Sequence, residues 1–476
     1  MNKSKIIGVT LIASILSVNV MADNLLDIYR LAKDNDPTFL SSEAGRKASN
    51  ERVNQSLSAL LPQINASANY SKSESKSSSR SSGLFTPDNQ AIPPQNISNP
   101  PSFNESDTTS TNFSVSLSQE IYNHSTWLNL KQAEKRALQS NVNHEGSKQN
   151  LIIRVAEAYF NVLAAKDSVD FSEAETKAVS KELAQTNQRF EVGLIAITDV
   201  HEAQSRYDRA VANQIVATNN LDNTHELLQL ITGQYHYDLL MLKDKVALTK
   251  PQPENIKKWV SEAENNNINV KATRIGLNIA KRSISLSQSG HYPSLSLSAN
   301  YSDNNSDTGI PTRDVYDDAQ NFLGVYSNIN SNSDSTSSSV SINFSLPIYS
   351  GGRTNSQVKE AQQLYQQASH NLESSRRLAI SQTRSSYLGV VANVSSVKAL
   401  NQAVISAEKS LEATQAGFEV GTRTIVDVLL QTQQLFESKR QHARARYDYV
   451  LNTLKLKQAT GLLTEKDLAK VNQLLR

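Results

Sequence analysis

A fourteen-residue phrase occurs twice in this chain, as FEVGLIAITDVHEA at 190–203 and as FEVGTRTIVDVLLQ at 418–431, identical at seven positions. Phe190 pairs with Phe418, Asp199 with Asp427 and Gly233 with Gly461, each 228 residues apart. Upstream, LPQINASANYS at 61–71 matches YPSLSLSANYS at 292–302 at an offset of 231, and SLSQEIY at 116–122 resembles NFSLPIY at 343–349 at 227. Because the offset hardly drifts, one supersecondary unit is written twice, and any fold must build each copy the same way.

Each copy reads helix, strand, loop, strand, long helix, helix. Asp36-Pro37 opens a helical stretch that Pro62 ends. Ile64, Ala66, Ala68 and Tyr70 then alternate with Asn65, Ser67 and Asn69, and Phe113, Val115, Leu117 and Ile121 with Ser114, Ser116, Ser118 and Glu120. The second copy repeats this with Leu295, Leu297, Ala299 and Tyr301, and with Val340, Ile342, Phe344, Leu346 and Ile348. Period two predicts four strands, at about 63–72, 111–122, 293–302 and 339–349. The intervening stretches 73–110 and 303–338, rich in Ser, Asn, Asp and Pro, read as long surface loops. Proline-free helices are expected at about 126–189 and 354–416, each followed by a returning helix at 197–231 or 425–459. Gaps of three and four from Val390 through Val394, Val397, Leu400 and Val404 predict lateral coiled-coil packing. Gly193 and Gly421 supply the backbone freedom of the two hairpin tips.

Residues 1–22, with Lys3, Lys5, an apolar run and Val20-Met21-Ala22, read as a secretory signal peptide. No later segment approaches the roughly 18–20 apolar residues of a spanning helix. Removing the signal lowers the formal charge from +2 to 0, which gives no support to nucleic-acid binding. With no cysteine and only 38% apolar residues, an exported chain of this length calls for long thin elements or oligomerisation.

Strands with one apolar and one Ser/Asn face fit either a small soluble sandwich or an outer-membrane barrel with lipid outside and water inside. Export, the small uncharged polar face and the loops on one side favour the barrel. Four strands cannot close one, since at least eight are needed; two chains would give a filled interior, and three would give twelve strands and a passage. The helices must then point into the periplasm. Tyr70, Tyr122, Tyr301 and Tyr349 at strand ends suit an interfacial belt as well as ordinary packing.

The phrases NLLDIYRLAKDNDP, LLPQINASANYS, AYFNVLAAKDSV, QRFEVGLIAITDV, NNLDNTHELLQLITG, FSLPIYSGGRTNSQVKEA, VGTRTIVDVLL and LKLKQATGLLTEKDL resemble, in order and spacing, the TolC family of outer-membrane efflux and type I secretion channels. The similarity covers nearly all of 23–476 and is nearer the TolC type than the lipid-anchored branch, whose cysteine is missing. It implies a mainly α homotrimer with a 12-stranded membrane β-barrel continued by an α-helical periplasmic tunnel. Repeat 1 would span 23–249 and repeat 2 250–476, with an equatorial belt from roughly 234–262 and 462–476. The implied partners are a periplasmic adaptor protein, docking near Gly193 and Gly421, and an inner-membrane transporter; no cofactor is implied.

Carried over by motif, the family's periplasmic gate falls on Arg423, Asp427, Thr198 and Asp199, and three chains would set three Asp427 carboxylates around one axis. The same residues have plainer readings: Asp in a first turn favours the helix dipole, Thr198 or Thr424 sits near a cap, and Arg423 to Asp427 is i,i+4 spacing. Two departures stand out. Leu430 occupies the place of a second aspartate, and Phe418 that of a tip tyrosine, so the closed state would use Arg423 links plus apolar packing of Phe418 and Leu430. The eight histidines are scattered, and no G-x-S-x-G, P-loop or G-x-G-x-x-G is present, so no enzyme is expected. A trimeric coiled-coil adhesin is the rival reading; protease shaving of intact cells would expose its helices, whereas a duct exposes only loops.

Overall fold

The computed structural model describes residues 23–79, 102–244, 246–310, 313–316, 322–326 and 329–476; the expected signal peptide lies outside them. The first half contains α1 (Leu25–Asn35), α2 (Pro37–Ser58), β1 (Gln63–Ser79), β2 (Ser102–Asn123), α3 (His124–Glu191) and α4 (Ile197–Thr232). The second half contains α5 (Ile256–Asn266), α6 (Ile268–Gln288), β3 (Ser294–Ile310), the short β4 (Arg313–Tyr316) and β5 (Phe322–Tyr326), β6 (Ile329–Ser345), α7 (Arg353–Glu419), α8 (Ile425–Ala459) and a closing α9 (Glu465–Asn472).

The duplication reaches the helix caps. Asn24 and Asn255, 231 apart, cap α1 and α5: Leu26 N and Asp27 N each donate to Asn24 Oδ1 at 3.0 Å, and Lys257 N donates to Asn255 Oδ1 at 3.0 Å. Asp36 and Asn267, again 231 apart, end those helices and start the next. Phe39 N donates to Asp36 Oδ1 at 2.6 Å, and Asn269 N and Val270 N donate to Asn267 Oδ1 at 3.0 and 3.2 Å. Short acceptors satisfy the orphan amides of a first turn, which is why Asp and Asn recur there.

The described chain forms two compact units. One comprises the residues up to Ser49 with Leu138–Leu277 and Gln367–Arg476. Its core joins Leu25, Ile28 and Tyr29 of α1 with Leu151, Val155, Tyr159, Phe160 and Leu163 of α3, Val390 and Val394 of α7, Val450 and Leu454 of α8, and Leu468 of α9. Tyr159 is fully buried, and its hydroxyl donates to the Leu240 carbonyl at 2.7 Å. Asp36, 2% exposed, also holds Arg154 at 2.7 Å. Asp36→Ala is therefore expected to lower stability by about 2 kcal/mol in chemical denaturation, chiefly through the lost cap, because Arg154 remains partly open to water. One 18-residue window of α7 reaches a mean hydropathy of 1.2, more apolar than the sequence reading allowed, and 17% of it is buried.

The second unit, Asn50–Ala137 with Asn278–Gln366, carries an antiparallel sheet in the order β1-β2-β3-β6. Ile64, Leu117, Ala299 and Val340 lie in register across all four strands on one face. On the other face the row is Ser67, Ser114, Ser302 and Ser337. Facing hydroxyls bond directly: Ser67 with Ser114 at 2.8 Å, Ser71 with Ser110 at 2.7 Å and Ser298 with Ser341 at 2.7 Å. Such cross-strand pairs stabilise a sheet without a hydrophobic contact.

The strands run well past the expected ends, so the expected surface loops at 73–110 and 303–338 are corrected: β1 continues to Ser79, β2 starts at Ser102, β3 continues to Ile310 and β6 starts at Ile329. Backbone pairing persists after the apolar/polar alternation fades. On the face that carries Ile64 and Val340, Lys72, Glu74, Asp107, Asp303, Asp307 and Asp334 follow the apolar rows. At its other end β6 stops at Ser345 rather than at 349, because Pro347 has no N–H to donate.

Candidate gate at the hairpin tips

Both long helices end in the same Schellman turn. Leu194 N donates to Arg189 O at 2.9 Å and Gly193 N to Phe190 O at 2.8 Å; Thr422 N donates to Gly417 O at 2.8 Å and Gly421 N to Phe418 O at 3.2 Å. Gly193 and Gly421 hold φ of +76° and +77°, a left-handed conformation that suits glycine. Val192, Leu194 and Val420 stand exposed around these turns.

The two returning helices start differently. Thr424 caps α8 in a reciprocal box: Asp427 N donates to Thr424 Oγ1 at 3.2 Å, and Thr424 N donates to Asp427 Oδ2 at 3.0 Å. These bonds from Thr424, and then the Arg423 charge, hold the Asp427 carboxyl below the usual aspartate range. At α4 the cap position is Ala196, which has no side-chain acceptor. Thr198 is thus not a cap but an exposed first-turn residue; among the described residues neither it nor Asp199 makes a side-chain hydrogen bond.

Arg423 also departs from the i,i+4 reading. It lies before the Thr424 cap, outside the helix, and forms no ion pair with Asp427 among the described residues. Its stem crosses Gly417, where an added Cβ would come within 2.8 Å of Arg423 Cγ. Phe418 is 7% exposed and packs with Val179, Ala203, Ile425, Val428 and Leu429 in a small tip cluster. Leu430 stays half exposed outside that cluster, so Phe418 and Leu430 do not pack as a pair within the protomer.

Two residues beyond the sequence candidates join the site. The Arg189 guanidinium lies 4.2 Å from the centroid of the Phe418 ring, and its Nη1 donates to Phe418 O at 3.4 Å, which ties α3 to α7. Arg189 and Gly417 are repeat equivalents, 228 apart: one copy carries a long cation and the other an empty slot. That mismatch was the available signal. Glu182 of α3, buried, accepts a hydrogen bond from Thr432 Oγ1 of α8 at 3.0 Å. Its repeat equivalent is Ser410, set between the matched pairs Lys181/Lys409 and Leu183/Leu411, so here too a repeat mismatch was the available signal, though no motif points to it.

Residues 28–234 and 259–462 match the model of a family described as outer membrane efflux protein. The chain is 39% identical over 457 residues to outer membrane protein TolC of Vibrio cholerae, covering 96% of this chain and 95% of that one. It is 25% identical over 460 residues to the alkaline protease secretion protein AprF of Pseudomonas aeruginosa, covering 96% and 88%. Among solved structures it is similar to a membrane protein from Pseudomonas aeruginosa at a TM-score of 0.71 and 16% identity, covering 94% of this chain and 92% of that one. With the family model matching both repeats and a relative this similar along nearly its full length, the chain belongs to the outer membrane efflux protein family.

Proposed function

We propose that the protein is a passive exit duct of the outer membrane, in which three copies combine four strands each into a twelve-stranded barrel continued by a helical periplasmic tunnel. The observation that carries this reading is the open sheet. Its apolar face leaves Ile64, Val340 and Phe344 at 69%, 75% and 67% exposure, and its edge strands β1 and β6 have no second partner among the described residues. Lipid would cover that face, and the neighbouring copies would pair those edges. The hydroxyl-lined face becomes the wall of a water-filled passage without a binding pocket. Selectivity then belongs to a periplasmic adaptor and an inner-membrane transporter that deliver drugs, detergents or polypeptides. Deleting the gene is expected to raise susceptibility to drugs and detergents, to remove proteins from the secretome, or both; a strain unchanged in both measurements would refute the duct.

At the periplasmic end the gate is the tip site. Asp427 is engaged by its own cap, whereas Thr198 and Asp199 have no side-chain partner among the described residues, so Arg423 of one copy would reach the Thr198–Asp199 pair of the next. Releasing three such links is expected to raise single-channel conductance several-fold for Arg423→Ala in planar bilayers, since each exposed link contributes only about 0.2–1 kcal/mol. An unchanged conductance would sink the role of Arg423.

A further inference from the structure

Glu182 carries an unresolved chemical problem. It is 8% exposed, Oε1 accepts from the Thr432 hydroxyl, and Oε2 is shielded from solvent and, among the described residues, makes no hydrogen bond of ordinary geometry, Gln415 being the other group that acts on the carboxyl. An ionised carboxylate wants several donors, and one buried with an oxygen left orphaned is strongly disfavoured. The residue sits one position from Leu183 and three from Val179, both part of the tip cluster that joins α3, α4, α7 and α8.

We infer that Glu182 is a proton-dependent positioning residue: protonated, it holds α3 against α8 beside the tip, and its ionisation loosens that contact. A neutral carboxyl removes the buried charge and keeps an acceptor for Thr432. The nearby Gln415 amide can present a donor or an acceptor to whichever form is present. Several charged groups on the packed helices are engaged elsewhere. On α8, Arg440 pairs with Glu175 at 2.9 Å and Glu437 at 3.0 Å, and Lys439 with Glu408 of α7 at 3.1 Å. On α7, Lys409 pairs with Glu412 at 2.8 Å; on α4, Arg206 pairs with Glu202 at 3.0 Å. Arg189 lies on Phe418, and Asp427 on its cap.

The sign follows from burial, which pushes the Glu182 carboxyl above the ordinary glutamate value, against the lowering effect of Thr432 and Gln415. Its contribution to tip packing is complete below the ordinary glutamate pKa and is lost as pH rises through the raised value. Asp427 behaves oppositely: its carboxyl is held low, so its cap weakens only as pH falls through that depressed value. The two shifts run in opposite directions, so the two titrations can be separated.

The link from packing to conductance rests on the gate reading above, so the test reads both. The chain has no cysteine, so Ala184→Cys and Gln434→Cys place nitroxides on exposed positions of α3 and α8 alone. In the full-length protein in lipid nanodiscs, the short intraprotomer distance should be narrow near about pH 4 and broaden towards about pH 8. In the Glu182→Gln background it should stay narrow throughout. Thr432→Val removes a donor to the charged form and should move the broadening to higher pH. Planar-bilayer open probability should rise by up to about tenfold per pH unit for each titrating protomer, and Glu182→Gln should flatten that rise. A distance insensitive to pH, or a Gln variant that follows the parent, overturns the inference. Distances that respond while conductance does not uphold Glu182 and overturn the tip as the gate.

Discussion

Ile342→Arg is expected to abolish outer-membrane assembly, while Ser341→Arg, one residue away, leaves it largely intact. Ile342 sits on the apolar face, in register with Leu297 and 66% exposed; Ser341 sits on the hydroxyl face, opposite Ser298. If lipid covers the first face, an arginine near mid-bilayer costs about 2–4 kcal/mol in each copy, and a trimer would carry three. A charge on the water-filled side costs little and alters ion selectivity instead. The measurement is the yield of heat-modifiable oligomer in outer-membrane fractions. Equal yields from the two variants would show that the two faces do not meet different solvents, which is incompatible with a barrel.

Gly461→Ala should be nearly as damaging, for a reason internal to one protomer. Gly461 closes α8 at φ +74°, and an added Cβ would collide with the backbone carbonyl of Asn266. A left-handed alanine alone costs about 1–2 kcal/mol. The clash forces backbone to move, adding about 1–3 kcal/mol or more. Gly193→Ala is the matched control: its φ is +76°, but nothing lies within 4 Å of the added carbon. It should show only the conformational part. Chemical denaturation of the two variants side by side reads the difference directly, and equal losses would mean that the Asn266 contact is irrelevant.

Much of this fold was legible because the sequence states it twice. The offset of 228 found both tips, and the offset of 231 found the first strand of each pair. The caps Asn24 and Asn255, which obey the same 231, were equally readable yet carry no hydrophobic periodicity to draw attention. The outer halves of the strands were illegible for a physical reason. Residues such as Ser333, Asn304 and Asp307 put polar side chains on both faces, so period two vanishes although the backbone ladder continues. At the tip, local chemistry placed Asp427 and Phe418, whereas Arg189 on Phe418 and Glu182 on Thr432 join residues 229 and 250 positions apart. No local pattern encodes such a pair. The i,i+4 reading of Arg423 failed because it assumed a helix that begins only after Thr424.

The bare edges of β1 and β6 also bear on how the molecule is made. A newly exported single copy would carry two seventeen-residue strands ready to accept any extended polypeptide, together with an apolar sheet face. Such a species is an aggregation hazard in proportion to its lifetime. If three copies assemble as proposed, assembly depends steeply on concentration, so the dangerous interval lengthens when synthesis is slow or export is patchy. Yield in the cell would then be set less by the stability of the finished duct than by how quickly protomers meet, and a periplasmic holdase that shields strand edges would act as the practical limit on the number of channels.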